Sequence, residues 1–188
     1  MSRRYFHPFG VVVLAALLVA CAPVQVRKDA AGDWAAIPPG STLTLNRPVQ
    51  VPQDRARIFF LSGRVRPAGA NAGPSCGLEV RTMSREGAQT IAPQTFKIVR
   101  VQTVWTQVAR LQRPGPVRFQ LAQSTDGGGG TPLIQEGYHL WLRGPDTNVM
   151  RLTCLGMLDD MWRARAITLE EIRTALGAVA TLEVVGGI

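Results

Sequence analysis

After about residue 40 the chain breaks into short runs in which apolar and polar residues alternate, each run bounded by Gly or Pro. Alternation with a period of two sets one face of an extended strand against a core and the other against water. The pattern predicts strands over 42–45, 49–51, 57–61, 78–82, 96–108, 117–121, 138–143 and 149–155. The cleanest alternation is Val117-Arg118-Phe119-Gln120-Leu121, as expected of a half-buried antiparallel strand. The run 96–108 is long enough to bend or to pass between sheets. Residues 67–75, 113–116 and the segment of Asp126 with the glycines at 127–130 carry turn and loop chemistry. The glycine run lacks the Lys and Ser/Thr of a phosphate-cradling loop, because Thr131-Pro132 follows it. No repeat of 20–50 residues is present.

The period changes once, near the end. Thr168-Leu169-Glu170-Glu171 reads as a capping box, and Ile172, Ala175, Leu176 and Val179 then recur at helical spacing. The polar side of this stripe has too few basic residues for a helix lying on a membrane surface, so it is expected to pack on its own sheet. The fold class that follows is mainly β: an antiparallel β-sandwich or partly open β-barrel over residues 38–186, with one C-terminal α-helix over about 168–182.

Composition narrows the functional classes. At 188 residues the chain has room for one ordinary domain, which excludes a multidomain enzyme. Its 46% hydrophobic and 18% charged residues exclude a disordered protein. The formal charge of +8 invites an anionic partner, but lysine occurs only at Lys28 and Lys97 and the arginines are scattered singly. No run of five basic residues exists, so nucleic acid is not an expected partner.

The N-terminus carries an address. Arg3 and Arg4 precede twelve uncharged residues, from Phe9 to Ala20, against the roughly 20 that a membrane-crossing helix needs. The run ends in Leu18-Val19-Ala20-Cys21, which resembles the lipobox of bacterial lipoproteins. The resemblance covers residues 1–21 only. It implies cleavage before Cys21, a thioether-linked diacylglycerol and an N-acyl chain on that residue, and a membrane partner through the lipid anchor. Two or three acyl chains anchor stably where one is marginal. Ala22, where an Asp would favour inner-membrane retention, implies the periplasmic face of the outer membrane. Residues 21–37 then read as the acylated Cys and a tether, closed by Pro38-Pro39-Gly40. Loss of Arg3 and Arg4 lowers the charge from +8 to +6, and loss of His7 leaves His139 as the sole histidine.

An oxidising compartment gives the two remaining cysteines a use. Cys76 shares its parity with Leu78 and Val80, opposite Glu79 and Arg81, while Cys154 shares its parity with Met150 and Leu152, opposite Arg151 and Thr153. Both sulfurs are expected to face the core and to form one bridge, worth roughly 4 kcal/mol for the chain length it closes. Two cysteines without CxxC spacing and one distant histidine do not make a zinc site. No metal or cofactor is expected.

Gly73-Pro74-Ser75-Cys76-Gly77 matches G-x-S-x-G, and Ser75, Asp126 and His139 follow the chain order of α/β-hydrolases. That elbow must end a strand and open a helix, whereas Ser75 follows a Pro/Gly loop and precedes a strand. Asp159-Asp160 lacks a calcium-loop pattern and is expected to cap the turn before Met161-Trp162. His139, Trp141 and Arg143 share one outward parity and make a candidate binding face, unless Trp141 and Arg143 pack on the terminal helix. No catalytic residues are expected. The sequence thus points to a non-catalytic binding or scaffolding role in the envelope, with an envelope protein or peptidoglycan as partner. The competing classes are a peptidoglycan hydrolase built on Ser75 or His139 and a periplasmic enzyme inhibitor.

Overall fold

The protein is represented by a computed structural model that describes residues 37–68, 72–110 and 132–186. Cys21, the expected strand 117–121, Asp126 and the glycines at 127–130 lie outside the described residues. The strands are β1 (Thr42–Leu45), β2 (Val49–Val51), β3 (Arg57–Leu61), β4 (Arg64–Arg66), β5 (Ser75–Val80) and β6 (Gln89–Ile91). They continue as β7 (Gln94–Arg110), β8 (Pro132–Arg143), β9 (Val149–Leu155), β10 (Asp159–Asp160) and β11 (Ala180–Glu183), with one helix among the described residues, α1 (Leu169–Leu176), before the last strand.

Nine strands form one antiparallel sheet in the order β11-β1-β7-β8-β9-β5-β3-β4, with β10 continuing the edge of β8, while β2 and β6 pair separately. The sheet curls into a half-barrel, within the expected class of sandwich or partly open barrel with a C-terminal helix. Alternation explains the curl's inner face, where Leu43, Ile58, Phe60, Leu78, Phe96, Ile98, Tyr138, Leu140 and Leu152 are all buried. β7 stays in one sheet despite its length and absorbs its curvature at two register shifts, Ile98/Arg100 and Gln107/Ala109.

The cysteines meet as expected. Cys76 and Cys154 are directly opposite on β5 and β9, fully buried, with Cα atoms 4.0 Å apart and the sulfurs bonded. Tyr138 and Phe60 flank them in the same core row. Gly137, next to Tyr138, is required by close approach, because a Cβ there would lie 1.8 Å from the Cys154 carbonyl oxygen.

The helix begins where its capping box places it, with Glu171 N donating to Thr168 Oγ1 and Thr168 N donating to Glu171 Oε2. Ile172, Ala175 and Leu176 are buried, and α1 packs on β3 and β5 from the core side. Its end differs from the expected 182. Gly177 adopts φ +52°, its amide closes on the Arg173 carbonyl, and a Cβ would strike Gly63 Cα at 2.4 Å. Beyond that stop, Ala180 and Leu182 face the core while Thr181 and Glu183 face out, so the segment is strand β11, paired with β1. The expected 78–82 strand also shifts, to Ser75–Val80, because its ladder with β9 begins at Ser75 opposite Leu155 and ends, after a register shift at Glu79/Val80, at Val80 opposite Val149. The expected 138–143 strand extends back to Pro132, alongside β7.

Candidate binding surface

The outer face of the sheet takes the parity opposite the core. Cross-strand register arranges its side chains in transverse rows, because residues directly opposite on neighbouring strands point the same way. One row runs over five strands: Arg100 of β7 faces Trp141 of β8, Trp141 faces Arg151 of β9, Arg151 faces Glu79 of β5, and Glu79 faces Arg57 of β3. The next row reads Gln102, His139, Thr153, Gly77, Phe59 and Arg66.

Chemistry links the first row end to end. The Arg100 and Arg151 guanidinium carbons lie 5.4 and 5.3 Å from the Trp141 ring centroid, within the range of cation–π attraction. Arg151 Nη2 is 2.9 Å from Glu79 Oε2, and Arg57 Nη2 is 2.9 Å from Glu79 Oε1. Arg100 Nη2 also donates to Gln102 Oε1 at 2.8 Å. Glu79 is 5% exposed, which makes it the sequestered centre of a row that otherwise carries positive charge. Burial pushes its carboxyl up, but hydrogen bonds from Arg151 and Thr153 and the charges of Arg57 and Arg151 outweigh that and hold it below the ordinary carboxylate value.

The second row joins the first through Thr153, whose hydroxyl donates to Glu79 Oε1. With that proton committed, the 2.8 Å contact between Thr153 Oγ1 and His139 Nδ1 needs the imidazole as donor. Neutral His139 therefore carries its proton on Nδ1 and keeps a lone pair on Nε2. Burial lowers its pKa; Arg151 and Arg57 lower it further and Glu79 opposes them.

The expected binding residues thus share a face but differ in setting. His139 is half-buried in a central strand and held by Thr153. Trp141 does not pack on α1, which covers the opposite face; it stacks between two arginines. Arg143 is exposed opposite Lys97. Ser75 opens β5 opposite Leu155, whereas His139 is opposite Thr153, one row away and on a strand separated from β5 by β9. Asp160 Oδ1 accepts from Trp162 N, as a turn cap. Among the described residues no group of three or more His, Cys, Asp or Glu side chains is placed to hold a metal ion.

Alternation gives Glu79 and Arg151 their outward parity, but only the register shows that five strands place them in line with Arg57 and Arg100. No family model, no curated protein and no solved structure matches the chain, so the reading of this surface rests on its geometry.

Proposed function

We propose that the chain is an envelope lipoprotein, acylated at Cys21 and held at the periplasmic face of the outer membrane, whose outer sheet face binds an acidic envelope protein without catalysis. The observation that carries the binding reading is the row Arg100, Trp141, Arg151, Glu79, Arg57. Three guanidinium groups stand against one carboxylate, so the row keeps positive charge for a partner's carboxylates. Trp141 supplies a rigid aromatic anchor between two of them, the residue types that dominate binding energy at protein interfaces. The row is built on central strands backed by the core, so little ordering accompanies binding.

The test combines location and capture. Labelled palmitate is expected to enter the wild-type chain and not the Cys21→Ser chain. Cross-linking in intact cells is expected to trap an acidic protein with the wild type, and to lose it with Trp141→Ala and with Arg100→Gln. Unlabelled wild type overturns the anchor; undiminished capture by both variants overturns the binding face.

A further inference from the structure

Beyond the partner-binding row, one end of the outer face carries basic side chains with few acidic neighbours. Lys97 and Arg143 are exposed and directly opposite on β7 and β8, with Thr42 beside Lys97 on β1 and Glu183 beyond it on β11, where its carboxylate accepts from the Thr42 hydroxyl at 3.4 Å. An open groove of about 300 Å³ lies next to them, lined by Arg81, Trp141, Arg143 and Thr147 among others. Its one carboxylate, Asp146, already accepts the Asn148 amide at 2.9 Å.

The groove is rigidly built. Arg81 Nε donates to the Thr147 carbonyl at 3.1 Å, which fixes the guanidinium at the rim. Asn148 ties the same turn to the segment after β5 and to β6, accepting from Thr82 N at 2.9 Å and donating to Gln89 Oε1 at 2.8 Å. Among the described residues no hydrogen bond or ion pair engages the Arg143 guanidinium or the Lys97 ammonium.

The path of the chain gives this end its neighbour. The described fold starts at Ile37, and Gly40 N donates to the Ile98 carbonyl, one residue from Lys97. Thr42, Lys97 and Arg143 lie in one row, so Arg143 is two strand spacings, about 10 Å, from the start of β1. The fifteen residues between Cys21 and Ile37 span at most about 55 Å. An acylated Cys21 thus keeps the basic end within reach of its own membrane.

We propose that the end carrying Lys97, Arg143 and Arg81 docks on anionic phospholipid headgroups, with a lipid phosphate entering the groove between Arg81 and Arg143. Arginine forks match phosphate oxygens bidentately, and a cationic surface near an anionic leaflet gains attraction from each basic residue. Trp141 belongs to both the groove and the Arg100 to Arg57 row, so a docked headgroup covers one edge of that row and leaves Arg151, Glu79 and Arg57 for a protein partner. The proposal rests on the acyl-anchor reading for what brings the domain to a membrane, but the affinity itself belongs to these side chains.

The experiment therefore uses a chain beginning at Ala22, which lacks the acyl site and keeps every described residue. It is sedimented with vesicles of phosphatidylcholine alone and of phosphatidylcholine with phosphatidylglycerol. Binding is expected to the anionic vesicles only, to weaken with salt, and to fall about fivefold for each of Lys97→Gln, Arg143→Gln and Arg81→Gln. Arg64→Gln and Arg66→Gln, equal charge changes on β4, are expected to have no effect. Equal binding to both vesicles, or equal losses in all five variants, overturns the proposal. Saturable binding of inorganic phosphate without vesicle binding also overturns it, since the groove would then serve a soluble anion. Failure of palmitate labelling, by contrast, removes the anchor and leaves the vesicle result standing.

Discussion

Glu79 and Arg151 stand directly opposite each other on β5 and β9, with Arg151 Nη2 2.9 Å from Glu79 Oε2. A carboxylate that is 5% exposed needs such a partner, because burying an unpaired charge costs far more than burying a paired one. Glu79→Gln keeps the shape and an acceptor for Thr153 but leaves Arg57 and Arg151 facing each other uncompensated. The variant is expected to lose about 1–3 kcal/mol of stability by denaturant unfolding. Arg57 is 39% exposed at its side chain, so Arg57→Gln is expected to lose less.

The same network sets an acid limit. Both His139 and Glu79 have folded pKa values below their ordinary ones, 6.5 and 4.5. For a group whose folded pKa is depressed, the unfolded chain binds the proton first as pH falls, so stability is lost on acidification. Stability is expected to be full above pH 6.5, to decline first as His139 is driven to protonate, and to decline again below 4.5 as Glu79, and Glu171 beside Arg165, take up protons. Denaturation midpoints measured from pH 8 to pH 3 are expected to lose the upper step in His139→Asn and keep the lower one. An upper step that survives this substitution would place the titrating group elsewhere.

Cys76 and Cys154 close 78 residues of sequence. Replacing both by Ala is expected to cost about 4 kcal/mol, chiefly by releasing the unfolded chain. Thiol labelling of the denatured, unreduced wild type is expected to find both residues blocked.

Gly137 faces the Cys154 carbonyl so closely that any side chain must push β8 from β9. Gly137→Ala is expected to destabilise by about 3 kcal/mol. Gly87→Ala, with open space around it, is expected to be silent by the same assay.

Much of this fold was legible because the core side of each strand is written in alternation. Thr42–Leu45, Val49–Val51, Arg57–Leu61 and Val149–Leu155 begin and end where their patterns do. Arg64–Arg66 was not legible, since it is a short edge strand exposed at every position and has no apolar face to announce it. The first residues of β5 were hidden behind a Pro/Gly loop. The helical stripe runs past the true end of the helix because Val179 falls both on that stripe and in the core, whereas Gly177 is the stop. Outward parity located His139, Trp141 and Arg143 on one surface. It did not show that Glu79, Thr153 and three arginines join them, because that depends on the register of five strands distant in sequence.

The most direct test of the account is site-specific photo-cross-linking in intact cells, with the photoreactive residue placed at the exposed Gln102, beside the Arg100 and Trp141 row, or at the exposed Arg173 on α1. One acidic protein is expected to be captured from Gln102 and none from Arg173, and the capture is expected to vanish when Trp141 is changed to Ala while the folded stability is retained. Capture from Arg173 alone, or from Gln102 with undiminished yield in Trp141→Ala, would contradict it.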